Sequence, residues 1–496
     1  MGNLALDVVR HAHFVGIGGS GMSGLARLFL EQGKRVSGSD ARPGAAATAL
    51  GEHGATVHTG HAAEHVATPD LVVVSAAVSP TNPEVQAARA RGIPVLSHAD
   101  VLGLLVVAGR GIAIAGTHGK TTTTALVGFL LERAGKDPTI LAGAEMRNYG
   151  ASVRLGRGPH VVVEADEYDR RFLKLSPRLA VVTSIEPDHL DYYRDLAEIR
   201  ETFAAFAGRL PPDGLLVACA DDPEARRLPA PCPRVEYGLG TATDGWQATD
   251  WRPVVLGPEG AVTPAGGDAE DALPGAQYAT EFVAVAPDGR RVRAVVPLVG
   301  AHNVANALAA LAIVAAEGVP LADAAAALAG FRGTHRRFQT VGSAAGITVA
   351  DDYAHHPTAV RVTLQAAREV HEGPLWVIFQ PHTRNRTARL LDEFAASFGA
   401  ADGVVITEIY EPVGREREPL AISGADLAAR IAGPPATYVP MLEAAADHLA
   451  QRLTPGSLVL TMGAGDVDRL GPLLLDRLRQ REVGTGQTRG GGTDGR

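Results

Sequence analysis

Absent from this chain is any apolar run approaching the ~18–20 residues of a membrane span, so an integral membrane protein is not expected. Cysteine is scarce as well. Cys219 and Cys232 form no spaced metal motif and cannot build a disulfide framework, so both read as ordinary small residues of a cytoplasmic protein. Charged residues make up only 20% of the 496, and the net charge of −9 argues against a nucleic-acid or anionic-membrane surface. Small anionic ligands stay open, because a phosphate site needs local basicity only. The opening MGNLALDVVRHAHFVGIG lacks a basic stretch followed by an apolar signal core, so secretion is not expected.

What is abundant is glycine, with 57 residues, in a chain 46% hydrophobic. That composition suits an α/β protein with many strand-to-helix turns, and the length suits roughly three domains. Strand and helix signals alternate from the start: HFVGI (13–17), a helix over 21–33, RVSGSD (35–40) and LVVVS (71–75). Such alternation predicts a parallel, doubly wound sheet. A second series starts at Gly111 and includes VVVE (161–164), AVVTSI (180–185) and a helix near 195–208. Residues 240–290 turn rich in Gly, Pro and Asp and read as inserted hairpins and loops, with EFVAVAP and RVRAVVP as an antiparallel pair. Helices are expected at 301–317 and 321–329. A third series follows FRGTHRRFQ (331–339), with strands ITVADD, LWVIFQ, GVVITEI, ATYVP and SLVLTMG. The expected domains are 1–108, 109–330 and 331–482, and 483–496 has no apolar content to bury and reads as a disordered tail.

Four groups of residues carry chemistry. In GIAIAGTHGKTTTT (111–124), a buried strand ends at Gly116 and a helix opens at Lys120-Thr121. Backbone N–H groups at such a helix start hold phosphate oxygens, the lysine neutralises charge and a hydroxyl reaches Mg²⁺. The general pattern has glycine where this chain has Ile114, so the loop is the variant G-T-H-G-K-T. Thr122, Thr123 and Thr124 serve mainly the helix, and His118 either touches ligand or turns to solvent. Gly16-x-Gly18-x-x-Gly21, with Asp40 ending the next strand, has the form of a dinucleotide fingerprint. Taken alone it says NAD and an oxidoreductase, although another diphosphate fits equally.

Glu164 and His189 end strands expected to emerge at the edge where Gly116 lies, which makes a plausible Mg²⁺ environment. Asp166, Glu167, Asp188 and Asp191 are weaker candidates there and read mainly as solvated acids. In the second half, Asn303 and Asn306 share a helical face beside His302, and Arg336-Arg337 lie at a domain junction from which an arginine can reach a phosphate.

GTHGKTTT, EADEYD, IEPDH, GAHNVANALAA, FRGTHRRF, DDYAHHPT and FQPHTRNRT, in this order, resemble the Mur ligase family of peptidoglycan synthesis. The likeness runs from about residue 11 to 470. It implies a three-domain α/β fold: N-terminal Rossmann-like, central P-loop ATPase-like with a mostly parallel sheet, and C-terminal Rossmann-like. It also implies an ADP-forming ligase acting in the cytoplasm as a monomer or homodimer, with ATP and Mg²⁺. Within the family the front of the chain, GIGGSGMS (16–23), is most similar to the member that joins L-alanine to UDP-N-acetylmuramate; a ligase that re-attaches a recycled tripeptide is the nearest rival.

By this resemblance Gly16, Gly18, Gly19, Ser20, Gly21, Asp40 and Ser75 would hold the UDP-sugar. Gly116, Thr117, His118, Gly119, Lys120, Thr121 and Thr122 would hold ATP, together with Asn306 at adenine, Asp352 at ribose and Arg337 at the terminal phosphate. Thr121, Glu164 and His189 would bind metal. Tyr353, His355 and His356 would bind the amino acid, and either histidine could take the amine proton. Ser184 stands where the family usually has Asn, and EADEYD departs from the commoner EADESD.

Overall fold

The computed structural model describes residues 6–257, 261–264, 277–412 and 420–489, with the side chains of Ser20 and 483–489 excluded. The chain folds around three sheets. The first contains β1 (His11–Val15), β2 (Arg35–Asp40), β3 (Thr56–Thr59), β4 (Leu71–Val74) and β5 (Val95–Ser97) in the order β3-β2-β1-β4-β5. All its neighbours are parallel. Strand order reverses between β1 and β4, and the glycine loop follows β1 at that crevice, where open α/β sheets bind ligands. The short strands β3 and β5 lie between half-buried and exposed, so TVHT and VLS show no apolar run from which to read them.

The second sheet opens with β6 (Arg110–Ala115), β7 (Thr139–Met146), β8 (Ala151–Arg154), β9 (His160–Glu164), β10 (Leu179–Val182), β11 (Leu215–Cys219) and β12 (Arg234–Gly238). It continues with β13 (Trp246–Leu256), β14 (Val262–Pro264), β15 (Gln277–Val285) and β16 (Arg291–Val296). β6 lies in the interior between β10 and β9, parallel to both. Its Ile112, Ala113, Ile114 and Ala115 are fully buried, as a strand covered on both faces requires.

The expected insertion at 240–290 is in part an extension of this sheet. β13 is one strand of 11 residues, antiparallel to β15, and β15 pairs antiparallel with β16. Its register shifts between Thr249 and Arg252, where Asp250 takes a positive φ of 56°. That bulge lets a Gly-, Pro- and Asp-rich stretch stay in the ladder. Residues 258–260 and 265–276 of the segment lie outside the described residues.

The third sheet contains β17 (Gln339–Ala344), β18 (Ile347–Asp352), β19 (Leu375–Phe379), β20 (Gly403–Ile406), β21 (Ala436–Tyr438) and β22 (Leu458–Met462), ordered β17-β18-β22-β19-β20-β21. Only the edge strand β17, which the sequence reading missed, is antiparallel to its neighbour. One apolar core runs continuously from the first sheet into the second, whereas the third sheet has separate cores on its two faces. The third unit thus keeps its own interior and meets the second mainly through polar groups. The final helix, Leu470–Arg489, continues into the segment expected to be a tail, because its leading turns are anchored by buried Leu470, Leu474, Leu475 and Leu478. Residues 490–496 lie outside the described residues. Among the described residues no helix is long and apolar enough to cross a membrane.

Candidate active site

The strand β6 delivers Gly116, and the helix Lys120–Arg133 begins four residues later with Gly119 as its N-cap at φ 80°. Among the described residues no side chain caps that helix, and its first N–H groups have no intrahelical partner. A Cβ at Gly119 would overlap Oδ1 of Asn306, so bare backbone is needed here. The loop is braced from β10: Thr117 N donates to the Ser184 carbonyl at 2.8 Å and His118 N to Ser184 Oγ at 3.1 Å. The Thr183 hydroxyl donates to the His118 carbonyl, and Glu186 N to Thr117 Oγ1 at 2.9 Å. Thr121 and Thr122 are buried at the helix start.

Lys120 Nζ donates to the Gly116 carbonyl at 2.6 Å and to Glu167 at 2.9 Å. Glu167, expected to be solvated, is buried, and that burial pushes its carboxyl up to about 7. The Lys120 ammonium is raised in turn: burial opposes this, but Glu167 and Asp166 outweigh it. His189 Nε2 is 3.8 Å from both Glu167 and Asp188. Glu164 instead accepts from Gly143 N at 2.6 Å, and no ion pair joins it to His189 among the described residues. After β9 the chain folds back through Asp169 and Arg170, both at φ 55°, and this turn brings Glu167 inward. Asp188, also expected to be solvated, is buried against Arg386 of the third unit, whose Nη2 and Nε lie 2.8 and 3.0 Å from Oδ1. Burial opposes its ionisation, but the facing guanidinium holds it well below the usual carboxylate range.

The helix Ala301–Ala316 carries Asn306 beneath the loop, where Oδ1 accepts from Thr123 at 3.2 Å and Nδ2 donates to Asn303 at 3.2 Å. Its amide therefore braces the loop helix in this structure. The two junction arginines diverge. Arg336 is clamped by Asp351 at 2.7 Å and by the carbonyls of Gly463 and Gly465 at 2.7 and 3.0 Å. Arg337 lies over the Tyr353 ring at 5.3 Å and faces the second unit. There burial, with the charges of Arg337 and His118, pushes His302 down to about 4. Asp352 is buried and accepts from Phe338 N and Ala354 N, both at 2.8 Å. His355 bonds the Tyr353 carbonyl through Nδ1 at 2.8 Å, whereas His356 reaches the Pro187 carbonyl at 3.2 Å. Burial lowers both imidazoles, His355 far below its usual value and His356 to about 4.

In the first unit, Gly16 N donates to the Ser39 carbonyl at 2.8 Å, and Ser75 N, just past β4, donates to Val15 O at 3.0 Å. Gly19 caps the helix Ser20–Glu31, which also lacks a side-chain cap. Asp40 does not stand free: Oδ2 accepts from Gly18 N at 3.0 Å and Oδ1 from Arg42 N at 3.0 Å, so it shapes the loop. Gly21 packs against His98, which burial pushes down to about 4. The Ser20 side chain lies outside the described residues.

Three family profiles match in chain order: the Mur ligase family catalytic domain over 11–110, the Mur ligase middle domain over 114–314, and the Mur ligase glutamate ligase domain over 336–465. The chain belongs to the Mur ligase family. This Mur ligase is 44% identical over 493 residues to the UDP-N-acetylmuramate–L-alanine ligase of Acidothermus cellulolyticus, covering 97% of this chain and 98% of the relative. The crystal structure of a UDP-N-acetylmuramate–alanine ligase from Thermotoga maritima matches with a TM-score of 0.75 at 29% identity, over 95% of this chain and 99% of the other. A murein peptide ligase from Psychrobacter arcticus matches with a TM-score of 0.64 at 27% identity, over 95% and 99%.

The sequence reading did not single out Glu186, Arg386 or His98, and it took Glu167 and Asp188, both buried here, for solvated acids. Of these, Glu167 and Asp188 sat inside EADEYD and IEPDH, but nothing local separates a buried acid from a solvated one. Arg386 had only its place in FQPHTRNRT as a signal, because its partner lies 198 residues away.

Proposed function

We propose that this Mur ligase is an ADP-forming acid–amino-acid ligase that joins L-alanine to the lactyl carboxylate of UDP-N-acetylmuramate, in the cytoplasmic supply of peptidoglycan for the cell wall. The observation that carries this reading is the 44% identity, along nearly the whole chain, to a relative of that name. The domains would divide as 1–108 for the UDP-sugar, 109–330 for ATP, and 331–482 for ATP and the amino acid.

The residues fit both ATP and Mg²⁺. The uncapped helix start offers free N–H donors, and Lys120 rests on carbonyl oxygens and Glu167, weaker partners than a phosphate. Thr121 and Glu164 would supply oxygen ligands to Mg²⁺, and the buried Nδ1 of His189 has no hydrogen-bond partner. When bound, the cation neutralises charge on the transferring phosphoryl group.

A carboxylate is a poor acyl donor, because its leaving group would be oxide. Transfer of the γ-phosphoryl group to the lactyl carboxylate makes an acyl phosphate, and the amine of L-alanine then displaces phosphate. Two anions must meet in the first step. Lys120 and, from the third unit, Arg337 would offset that repulsion. In the second step a neutral imidazole must accept the amine proton. His355 suits this: burial keeps it neutral, and with Nδ1 donating to the Tyr353 carbonyl its Nε2 lone pair is free. Docking of the third unit over the loop excludes water, which would hydrolyse the acyl phosphate.

The test is phosphate release from ATP with UDP-N-acetylmuramate and a panel of amines. Turnover with L-alanine and none with L-alanyl-γ-D-glutamyl tripeptide is expected. Turnover with the tripeptide alone assigns the recycling reaction, and silence with every amine overturns the ligase reading.

A further inference from the structure

Glu186 has no part in the chemistry above, yet it is the centre of a three-residue convergence. His118 comes from the phosphate loop, Glu186 from the turn after β10, and His356 from the N-cap of the helix Pro357–Val370 in the third unit. One nitrogen from each histidine and one carboxylate oxygen lie within 4.8 Å of one another. His118 Nε2 is 3.5 Å and His356 Nδ1 is 3.9 Å from Glu186 Oε2. We propose that His118, Glu186 and His356 form a binding site for one divalent transition cation of the Zn²⁺ class, spanning the phosphate loop and the third unit.

Three observations beyond the spacing support this. First, His118 Nε2 is buried with no hydrogen-bond partner among the described residues, an unusual state for a polar atom unless a ligand completes it. Second, His356 is already oriented. Its Nε2 lies 3.2 Å from the Pro187 carbonyl, which leaves the Nδ1 lone pair facing Glu186. Metal-bound histidines are held this way, one ring nitrogen donating to a carbonyl while the other binds. Only a long contact of 3.4 Å from Thr358 N competes for that lone pair. Third, the Thr358 hydroxyl donates to Glu186 Oε2 at 2.7 Å and fixes the carboxylate plane.

Against the cost of burial, His118 and Thr358 hold Glu186 down to about 2, and burial keeps His356 neutral. A tetrahedral ion with bonds of about 2.0–2.1 Å needs donors about 3.3 Å apart, so the 3.5 and 3.9 Å contacts to Glu186 must shorten on binding. Two imidazoles and one carboxylate favour Zn²⁺ or a similar borderline ion over Mg²⁺, which prefers oxygen ligands and octahedral geometry. An ion held here ties the loop to the third unit and restrains the opening that nucleotide exchange requires.

The test uses the full chain stripped of metal by chelation and titrated with ZnCl₂ by calorimetry in excess Mg²⁺, with Co²⁺ absorption reporting coordination. One equivalent of Zn²⁺ should bind without displacement by Mg²⁺. Glu186→Gln and, separately, His118→Gln should each weaken it by at least about 100-fold, since even partners one step removed from a metal cost 10–100-fold. His189→Gln and Glu84→Gln should leave it unchanged, which separates this site from the other imidazole–carboxylate groups, and melting curves confirm that each variant is folded. Absence of equimolar binding, persistence in Glu186→Gln, or loss in His189→Gln overturns the proposal. Ligase turnover is not the readout, so the outcome stands apart from the reaction proposed above.

Discussion

Replacing Arg386 with methionine isolates what holds the third unit against the second. Arg386 and Asp188 form a buried ion pair between elements 198 residues apart, with two contacts of 2.8 and 3.0 Å onto one carboxylate oxygen. Removing one member of such a pair costs about 3–5 kcal/mol, because the survivor stays buried and charged. Here the low end applies, since His189 N still donates to Asp188 Oδ1 at 2.7 Å. The third unit has cores of its own, so the cost should appear as undocking and not as global unfolding. About 3 kcal/mol shifts the docked–undocked ratio by about two powers of ten.

Small-angle scattering of the ligand-free protein should then show a larger radius of gyration for Arg386→Met, and a protease should cut faster near 331–339. The informative control is the double variant Asp188→Asn/Arg386→Met. It buries no unpaired charge and should return close to the wild-type radius. If the single variant scatters like the wild type, or the double variant is as open as the single, the buried pair does not govern docking and the reasoning fails.

Three further outcomes are expected. Lys120→Ala should cut turnover by at least about 10³-fold, because phosphoryl transfer depends on charge offset at the loop, and should lower the melting temperature too, since buried Glu167 loses its partner; near-normal turnover would remove Lys120 from the phosphate site. Gly119→Ala should weaken ATP binding and destabilise the protein by about 1–3 kcal/mol, from the positive φ and the overlap with Asn306, as read by nucleotide titration and urea unfolding. In the first unit, buried Glu84 is held down to about 2, burial opposing and His13, Ser39 and His65 prevailing. Its folded value lies below the unfolded one near 4.5, so it stabilises the protein above pH 4.5. Up to about 3 kcal/mol is lost as pH falls from 4.5 towards 2. Glu84→Gln should flatten that part of the stability–pH curve measured by denaturant titration, and an unchanged curve would contradict the assignment.

Much of this protein was legible along the chain. Alternating apolar strands and glycine-ended helices announced three α/β series. Gly116–Thr122 declared a phosphate loop, because buried strand, bare backbone and helix start are all local signals. Among the strands that stayed hidden, β3, β5 and β17 have half-exposed or exposed faces, and β13 carries a bulge at Asp250 that keeps polar residues in the ladder. β7, β8, β11, β12 and β14 went unread as well, although β11 is largely buried. In the site, the sequence brought Lys120, Glu164 and His189 to one sheet edge by strand register alone. It could not say that Glu167 and Asp188 would both be buried and lie 3.8 Å from His189.

The sequence by itself determined the fold class, the family and the glycine-rich turn between β6 and its helix, since each rests on contiguous residues whose spacing is set by backbone geometry. Only the tertiary structure decided which acids are buried, which of Arg336 and Arg337 is free to face the second unit, and that His118, Glu186 and His356 meet. Burial and long-range charge pairing depend on segments that are distant in the chain, and no local pattern records them.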